Sequence, residues 1–505
     1  MRSGGRQRLP VAGVDLPAAL GLVGRFLKYF AVTFAFPTVL ALGYGDPVWP
    51  FLAAAGITVA AGAALQYGFG SHRTIGLREG FLVVSLTWAL TAWAVALPYL
   101  LGEPQLRNPV NAYFEAMSGM TTTGASTLTD LPAVDHSMMM WRQFSQWLGG
   151  MGIVVLGLAV LPRLRVAGRQ LVESEMPGPE YEPLTARIRD TARRYWLVYV
   201  GLTALMVLVL SCFGWSGVDP LMSEFQAAAH AFTTLPTGGF GTQPTSIASF
   251  APASQWVIAL FMALGGVNFA LHYRAVVRRA NPFRDEELRY YLGFLLAGAL
   301  VLFLELVRSG IFEPGEAAIR AAVVQAVSIM TTTGFASQDF ALWTSLTWVT
   351  LTGLMLIGGS AGSTGGAIKV VRWVLIGKLV ARELDQTLHG EAVVPVRLNR
   401  RPVDEKTLRA ILAFGIVYLV LFLVGAFVLM IDAAVTGSGL RPIDAIGASA
   451  TTIGNVGPAF GFAGPMGSFE PFSDFATSVM VVLMWVGRLE IIPIAVLLTR
   501  RYWRA

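Results

Sequence analysis

Threonine and glycine supply the spacing in this chain that could do chemistry. Thr121-Thr122-Thr123-Gly124 recurs as Thr331-Thr332-Thr333-Gly334, each copy closing a moderately apolar run and preceding a loop. With the glycines in register, Glu115 and Gln325 stand nine residues before them, Ser118 and Ser328 six before, and Met120 and Met330 four before. A further stretch, Thr237-Gly238-Gly239, joins the set. With Gly239 as reference, His230 stands at minus nine, Thr233 at minus six, and Phe240 follows as Phe335 does. Gly238 loses those matches and stays as the alternative. The most diverged copy, Thr451-Thr452-Ile453-Gly454-Asn455, keeps two threonines and a glycine, with Ala448 at minus six. Four such stretches around one axis would offer rings of carbonyl and hydroxyl oxygens, which can replace the hydration shell of a monovalent cation. Glycine permits the φ > 0 conformations that turn successive carbonyls to one side. Threonine adds a hydroxyl and stiffens an extended stretch. None of the four contains a carboxylate, which argues against a calcium-type ring of acids.

The elements that position these stretches must be membrane helices. Apolar residues make up 54% of the 505 residues and charged residues 13%, against about a quarter charged in soluble domains. Gly80 to Leu101 and Phe414 to Ile431 carry no charge. Uncharged apolar runs near 20 residues span a bilayer as helices, because unpaired backbone groups are not tolerated there. They lack the short alternating segments of a β-barrel. Ten spans are expected, at about 23–43, 50–69, 80–101, 141–162, 195–213, 255–276, 290–307, 346–378, 408–431 and 475–499. With that count, the basic loops at 70–79, 163–194, 274–289 and 379–409, and the tail bearing Arg500, Arg501 and Arg504, fall on one side. The positive-inside rule then places both termini in the cytoplasm and accounts for the net charge of +6 without nucleic acid. The single Cys212 allows no disulfide framework or zinc site. The basic N-terminus lacks a compact apolar core and cleavage site, so no cleaved signal peptide is expected.

Four loops on the opposite side hold semi-apolar stretches too short to span, at about 111–120, 221–235, 317–330 and 443–451. A helix lying on the outer surface would explain one of them. Four in parallel positions favour re-entrant pore helices, followed by backbone lining a watery path. The expected fold is an all-α integral membrane protein with four pseudo-symmetric helix–pore helix–helix repeats around a central pore. The repeats cover 80–194, 195–289, 290–407 and 408–505, after an N-terminal tail (1–22) and a two-helix hairpin (23–79).

Inside the eighth expected span, Gly358-Gly359-Ser360-Ala361-Gly362-Ser363-Thr364-Gly365-Gly366 makes a poor helix, since each glycine costs about 1 kcal/mol there. The segment is expected to break mid-membrane, where its loop could occlude a pore. Close helix packing on small residues is the plainer explanation. A phosphate-binding loop is excluded by the missing Gly-Lys-Ser/Thr ending. Arg488 and Glu490 lie in the last span, where charge is expensive and usually functional. Arg488 could repel a cation, hold the broken loop by donating to its carbonyls, or simply pair with Glu490. Lys369, which ends the broken region, reads as a snorkelling cytoplasmic anchor. Glu115, Gln325 and His230 are expected to hold the filter by hydrogen bonds without touching the ion. The five histidines show no ligand spacing. No Ser/His/Asp set or paired membrane carboxylates suggest an enzyme, and no cofactor is expected.

Together these motifs resemble the Trk/Ktr/HKT superfamily of potassium transporters, in particular its bacterial TrkH-type members. The resemblance covers about residues 25–500 and rests on an ordered set: Phe114 to Gly124, Trp147-Leu148-Gly149-Gly150-Met151-Gly152, His230-Ala231-Phe232 with Thr237 to Phe240, and Thr331 to Phe335. Gly358 to Gly366 with Ile368-Lys369, Gly454-Asn455-Val456-Gly457-Pro458 and Gly487-Arg488-Leu489-Glu490 complete it. It implies K+ uptake across the bacterial cytoplasmic membrane through a filter with one glycine per repeat, namely Gly124, Gly239 (or Gly238), Gly334 and Gly454. It also implies Gly358–Gly366 as a gating loop with Arg488 and Lys369 as gate charges. The partners implied are a second copy in a homodimer, membrane lipids, and a cytoplasmic ring of nucleotide-binding, TrkA-like regulatory subunits. Broken helices also mark H+- or Na+-coupled symporters, the alternative mechanism.

Overall fold

The computed structural model describes residues 14–69, 76–159, 184–390 and 394–503. The basic residues Arg2, Arg6, Arg8, Arg73, Arg163, Arg165, Arg169 and Arg504 lie outside these ranges. Helix α1 (Leu16–Phe30) starts where the Asp15 carboxylate accepts from the Ala18 amide with Pro17 in the first turn. This start lies inside the stretch expected to be N-terminal tail. A 3-10 turn continues α1 into α2 (Ala35–Tyr44), and α3 (Trp49–Phe69) returns against α1.

A repeating order follows. Helix α4 (Leu77–Gly102), the short α5 (Pro109–Met120) and α6 (His136–Ala159) are succeeded by α7 (Leu184–Trp215), the short α8 (Glu224–Thr234) and the pair α9 (Pro252–Gly265) and α10 (Phe269–Arg278). Next come α11 (Glu286–Arg308), the short α12 (Glu316–Met330), α13 (Ser345–Ile357) and α14 (Val370–Leu388). A two-residue-strand hairpin, β1 (Arg397–Leu398) with β2 (Arg401–Pro402), leads to α15 (Glu405–Thr436), the short α16 (Pro442–Gly454), α17 (Asp474–Arg488) and α18 (Ile492–Leu497). The short helices start where the sequence permits: Asn108 and Pro109 open α5, and Ser223 accepts from the Gln226 amide to open α8.

Among the described residues, six helices are long and apolar enough to cross a membrane: Leu16–Tyr44, Trp49–Phe69, Arg78–Gly102, Asp190–Trp215, Glu286–Arg308 and Glu405–Thr436. Helix α6 corresponds to the expected 141–162 segment, whose end lies outside the described residues. The last three even-numbered spans expected from sequence are interrupted. The break within 346–378 is where the glycines stand, between Ile357 and Val370. The other two were read as continuous and are not. Helices α9 and α10 meet at 99°, because Gly265 and Gly266 end one helix while Asn268 caps the next by accepting from the Ala270 amide. Helix α17 stops at Arg488; Glu490 and Ile491 turn with φ of 56° and 60°, and α18 restarts with Pro493 in its first turn.

The short helices pack in a closed cycle. Each lies between the two long helices that flank it in sequence and also against a helix of the neighbouring unit. Helix α5 touches α17, α8 touches α6, α12 touches α9 and α16 touches α13. The core on their faces is small and aromatic, including Ala116, Ala231, Ala326, Ala448, Phe240, Phe335 and Phe460.

Candidate cation filter and gate

The four short helices all end on the axis of that cycle in the same backbone figure. The amides of Thr123, Gly238, Thr333 and Val456 donate to the carbonyls of Ser118, Thr233, Ser328 and Thr451 at 2.8, 2.8, 2.8 and 2.9 Å. One residue earlier the chain turns through positive φ at Thr122 (53°), Thr237 (54°), Thr332 (61°) and Asn455 (54°). One residue later it does so again at Gly124 (85°), Gly239 (76°), Gly334 (85°) and Gly457 (112°). Positive φ at a β-branched residue is sparsely populated and persists only where surroundings enforce it.

These glycines close a ring. A Cβ at Gly124 would collide with the Gly238 carbonyl oxygen, at Gly239 with that of Thr333, and at Gly334 with that of Val456. At Gly457 it would lie 2.7 Å from the Thr123 oxygen. The equivalence selects Gly239 over Gly238 in the second copy. It also corrects the fourth, where sequence register favoured Gly454. Helix α16 runs through Thr451, Thr452, Ile453 and Gly454, and Asn455 takes the left-handed turn instead. Gly454 thus occupies the place of Thr121, Pro236 and Thr331, and the segment equivalent to Thr122-Thr123-Gly124 is Asn455-Val456-Gly457. With Gly457 as reference, Thr451 falls at minus six, in line with Ser118, Thr233 and Ser328. A hydroxyl at that place, and Asn as a non-glycine residue that readily takes left-handed backbone, were the available signals.

Each copy is braced differently. Thr121 Oγ1 and Thr123 Oγ1 lie 2.7 Å apart, and Thr331 and Thr333 Oγ1 2.8 Å apart. Asn455 Nδ2 donates to Thr123 Oγ1 at 3.1 Å and to the Met484 carbonyl at 2.9 Å. The buried Glu115 carboxylate accepts from Ser126 Oγ and the Thr127 amide, both at 3.0 Å, and pairs with Arg142 at 2.5 Å. Ser328 Oγ and Gln325 Nε2 donate to the Phe335 carbonyl at 2.5 and 3.5 Å. His230 departs from the expected role: its Nδ1 meets the Gln226 carbonyl of its own helix, and its Nε2 has no partner among the described residues.

Gly358 to Gly366 lies directly beneath three of the four copies. Thr364 Oγ1 donates to the Leu235 and Gly265 carbonyls at 3.0 and 3.1 Å, and Thr237 Oγ1 donates to Thr364 Oγ1 at 3.3 Å. The Gly366 amide donates to Thr332 Oγ1 at 2.7 Å, and the Ala367 amide to the Gly454 carbonyl at 3.1 Å. The α9–α10 break joins in: the Gly266 carbonyl accepts from the Ser360 amide at 2.9 Å, and the Gly362 carbonyl from the Phe269 amide at 3.1 Å.

Buried charge surrounds this loop. Arg488, 2% exposed, donates Nη1 to the Thr364 carbonyl at 2.8 Å, while its Nε and Nη2 have no partner among the described residues. It does not pair with Glu490, which is held instead by Arg372. Lys369 is not a snorkelling anchor: it is 7% exposed and donates Nζ to the Gly365 carbonyl. Glu287, which sequence reading did not single out, accepts from the Ala361 amide at 2.6 Å. No group of three or more His, Cys, Asp or Glu among the described residues could hold a metal ion.

Comparison with known proteins places the chain in a family. Residues 50–504 match the TrkH family, described as cation transport proteins. The Trk system potassium uptake protein TrkH of Salmonella typhimurium is 34% identical over 489 residues, 96% of this chain and 98% of that protein. That of Halomonas elongata is 34% identical over 498 residues, covering 97% and 100%. The crystal structure of the potassium transporter TrkH from Vibrio parahaemolyticus superposes with a TM-score of 0.84 at 32% identity, over 97% of this chain and 99% of that one. With its apolar helices, the chain is a multi-pass membrane protein, and it belongs to the TrkH family of cation transport proteins.

Proposed function

We propose that this chain takes up potassium ions across the cytoplasmic membrane, through the axis ringed by Gly124, Gly239, Gly334 and Gly457. The observation that carries this reading is the closed ring of four glycine-to-carbonyl contacts, contributed in cyclic order by four like helix ends. Carbonyls of Thr123, Gly238, Thr333 and Val456 would coordinate a dehydrated monovalent cation. The loop at 358–366, pinned by Arg488, closes the path below the ring, and the guanidinium adds an electrostatic barrier to a cation. Each half of that barrier is removable: the loop by losing its bonds, the charge by moving with α17. The potassium uptake named for the relatives supports the choice of ion. We extend the family reading to a homodimer with both termini cytoplasmic, served by cytoplasmic nucleotide-binding regulatory subunits.

Potassium flux through the purified protein in liposomes tests the proposal. Uptake should follow the potassium gradient and persist without a proton or sodium gradient. Flux that stops when those gradients are collapsed would instead favour coupled symport. Loss of potassium preference in Gly334→Ser is expected, because the new side chain would displace the Val456 carbonyl.

A further inference from the structure

The second quarter of the ring lacks the supports that the first and third copies have. Where Thr123, Thr333 and Val456 carry β-branched side chains, it has Gly238; where Thr121 and Thr331 brace their neighbours through hydroxyls, it has Pro236. Its pore-helix residue, His230, makes no bond to the segment that follows Gly239. Glu115 and Gln325 make such bonds in the first and third copies.

The missing supports come from the neighbouring unit. On α6, Gln146 is fully buried and donates Nε2 to the Gly238 carbonyl at 2.7 Å, while its Oε1 accepts from the Phe240 amide at 3.1 Å. One turn earlier, Arg142 donates Nη1 to the Gly241 carbonyl at 2.9 Å and stacks 3.6 Å from the centre of the Phe240 ring. Residues four apart share a helix face, so the two side chains grip one segment from one side. Gln146 also fills the space that a side chain at Gly238 would take, since a Cβ there would lie 2.5 Å from the Gln146 Cδ. Gly238 and Gln146 therefore act as a pair: glycine leaves the room, and the amide fills it and fixes the carbonyl.

We infer that Gln146, supported by Arg142, is a positioning residue for ion discrimination. It sets the angle and field strength of the Gly238 carbonyl, the one ring carbonyl that receives a side-chain amide hydrogen among the described residues. This rests on the reading of the ring as the filter. A carbonyl held by a donor spends one lone pair on that donor and keeps the other for the ion. Without the donor, the glycine backbone is free to rotate the carbonyl off the axis.

The test uses the full-length protein in liposomes, with the K+/Na+ permeability ratio measured from bi-ionic potentials. Gln146→Met keeps the volume and loses both hydrogen bonds; the ratio should fall about tenfold, the equivalent of one buried hydrogen bond. Gln146→Asn keeps the amide but withdraws it by a methylene, and should lower the ratio even if the methionine variant fails to fold. Gln255→Met, a buried glutamine of α9 bonded to the Phe250 carbonyl and to Arg320, controls for general loosening and should leave the ratio unchanged. A ratio within about twofold of the parent in folded Gln146 variants, with Gly334→Ser altered in the same assay, overturns the role of Gln146 alone. If Gly334→Ser is also unchanged, the filter reading falls and this inference with it. An equal loss in Gln255→Met overturns the positioning role in favour of a structural one.

Discussion

At the scale of single residues, the chain puts strain and charge where the ion path would be. Thr122, Thr237 and Thr332 hold left-handed backbone, each at a cost of about 1–3 kcal/mol that packing must offset, while Asn455 takes the same turn more readily. Arg488 holds a buried charge with one hydrogen bond from Nη1 to the Thr364 carbonyl of the 358–366 loop. Arg488→Gln should weaken that bond and lower the barrier to cations. A charge-assisted bond contributes about 1.5–3 kcal/mol, so basal potassium flux should rise by about tenfold or more, with the K+/Na+ ratio kept. A stopped-flow liposome assay reads both, and an unchanged basal rate would remove Arg488 from the gate. Sequence marked these residues more readily than their places in the backbone. The three-threonine motif marked two copies, but Gly457 was passed over because counting identical residues rewarded Gly454, whereas the backbone conformation follows Asn455.

At the scale of elements, the interruptions are shared. Helices α9–α10, α13–α14 and α17–α18 all break, and the three breaks bond to one another through Ser360, Gly362, Thr364 and Arg488. Only the middle one was legible, because eight residues of glycine, serine and threonine within nine positions are a local signal. A pair of glycines at 265–266 or a turn at Glu490 and Ile491 becomes a break only when tertiary partners claim the freed backbone. The Arg372–Glu490 pair ties α14 to the end of α17. Glu490→Gln should leave the buried Arg372 charge uncompensated and cost about 3–5 kcal/mol, seen as a lower unfolding temperature in detergent. The double variant Arg372→Met/Glu490→Met should recover part of it. A single variant as stable as the parent would contradict the pairing.

At the scale of the whole molecule, four diverged units act as one because each short helix packs on its neighbour's long helix and each ring glycine faces the next unit's carbonyl. That cycle was foreseeable from the repeat, but its contacts were not, since they join residues such as Thr123 and Gly457 far apart in the chain. An ion held by the ring links all four units, so potassium should stabilise the fold more than sodium does. At a concentration about 100 times its dissociation constant the gain is about 2.7 kcal/mol, measurable as a rise in unfolding temperature. Equal effects of the two ions would argue against a selective site. The most direct test of the ring is the K+/Na+ permeability ratio of Gly457→Ser set beside that of Gly454→Ala. The account predicts that the first loses its preference for potassium while the second keeps it. A retained preference in a folded Gly457→Ser, or a loss confined to Gly454→Ala, would contradict the ring as described.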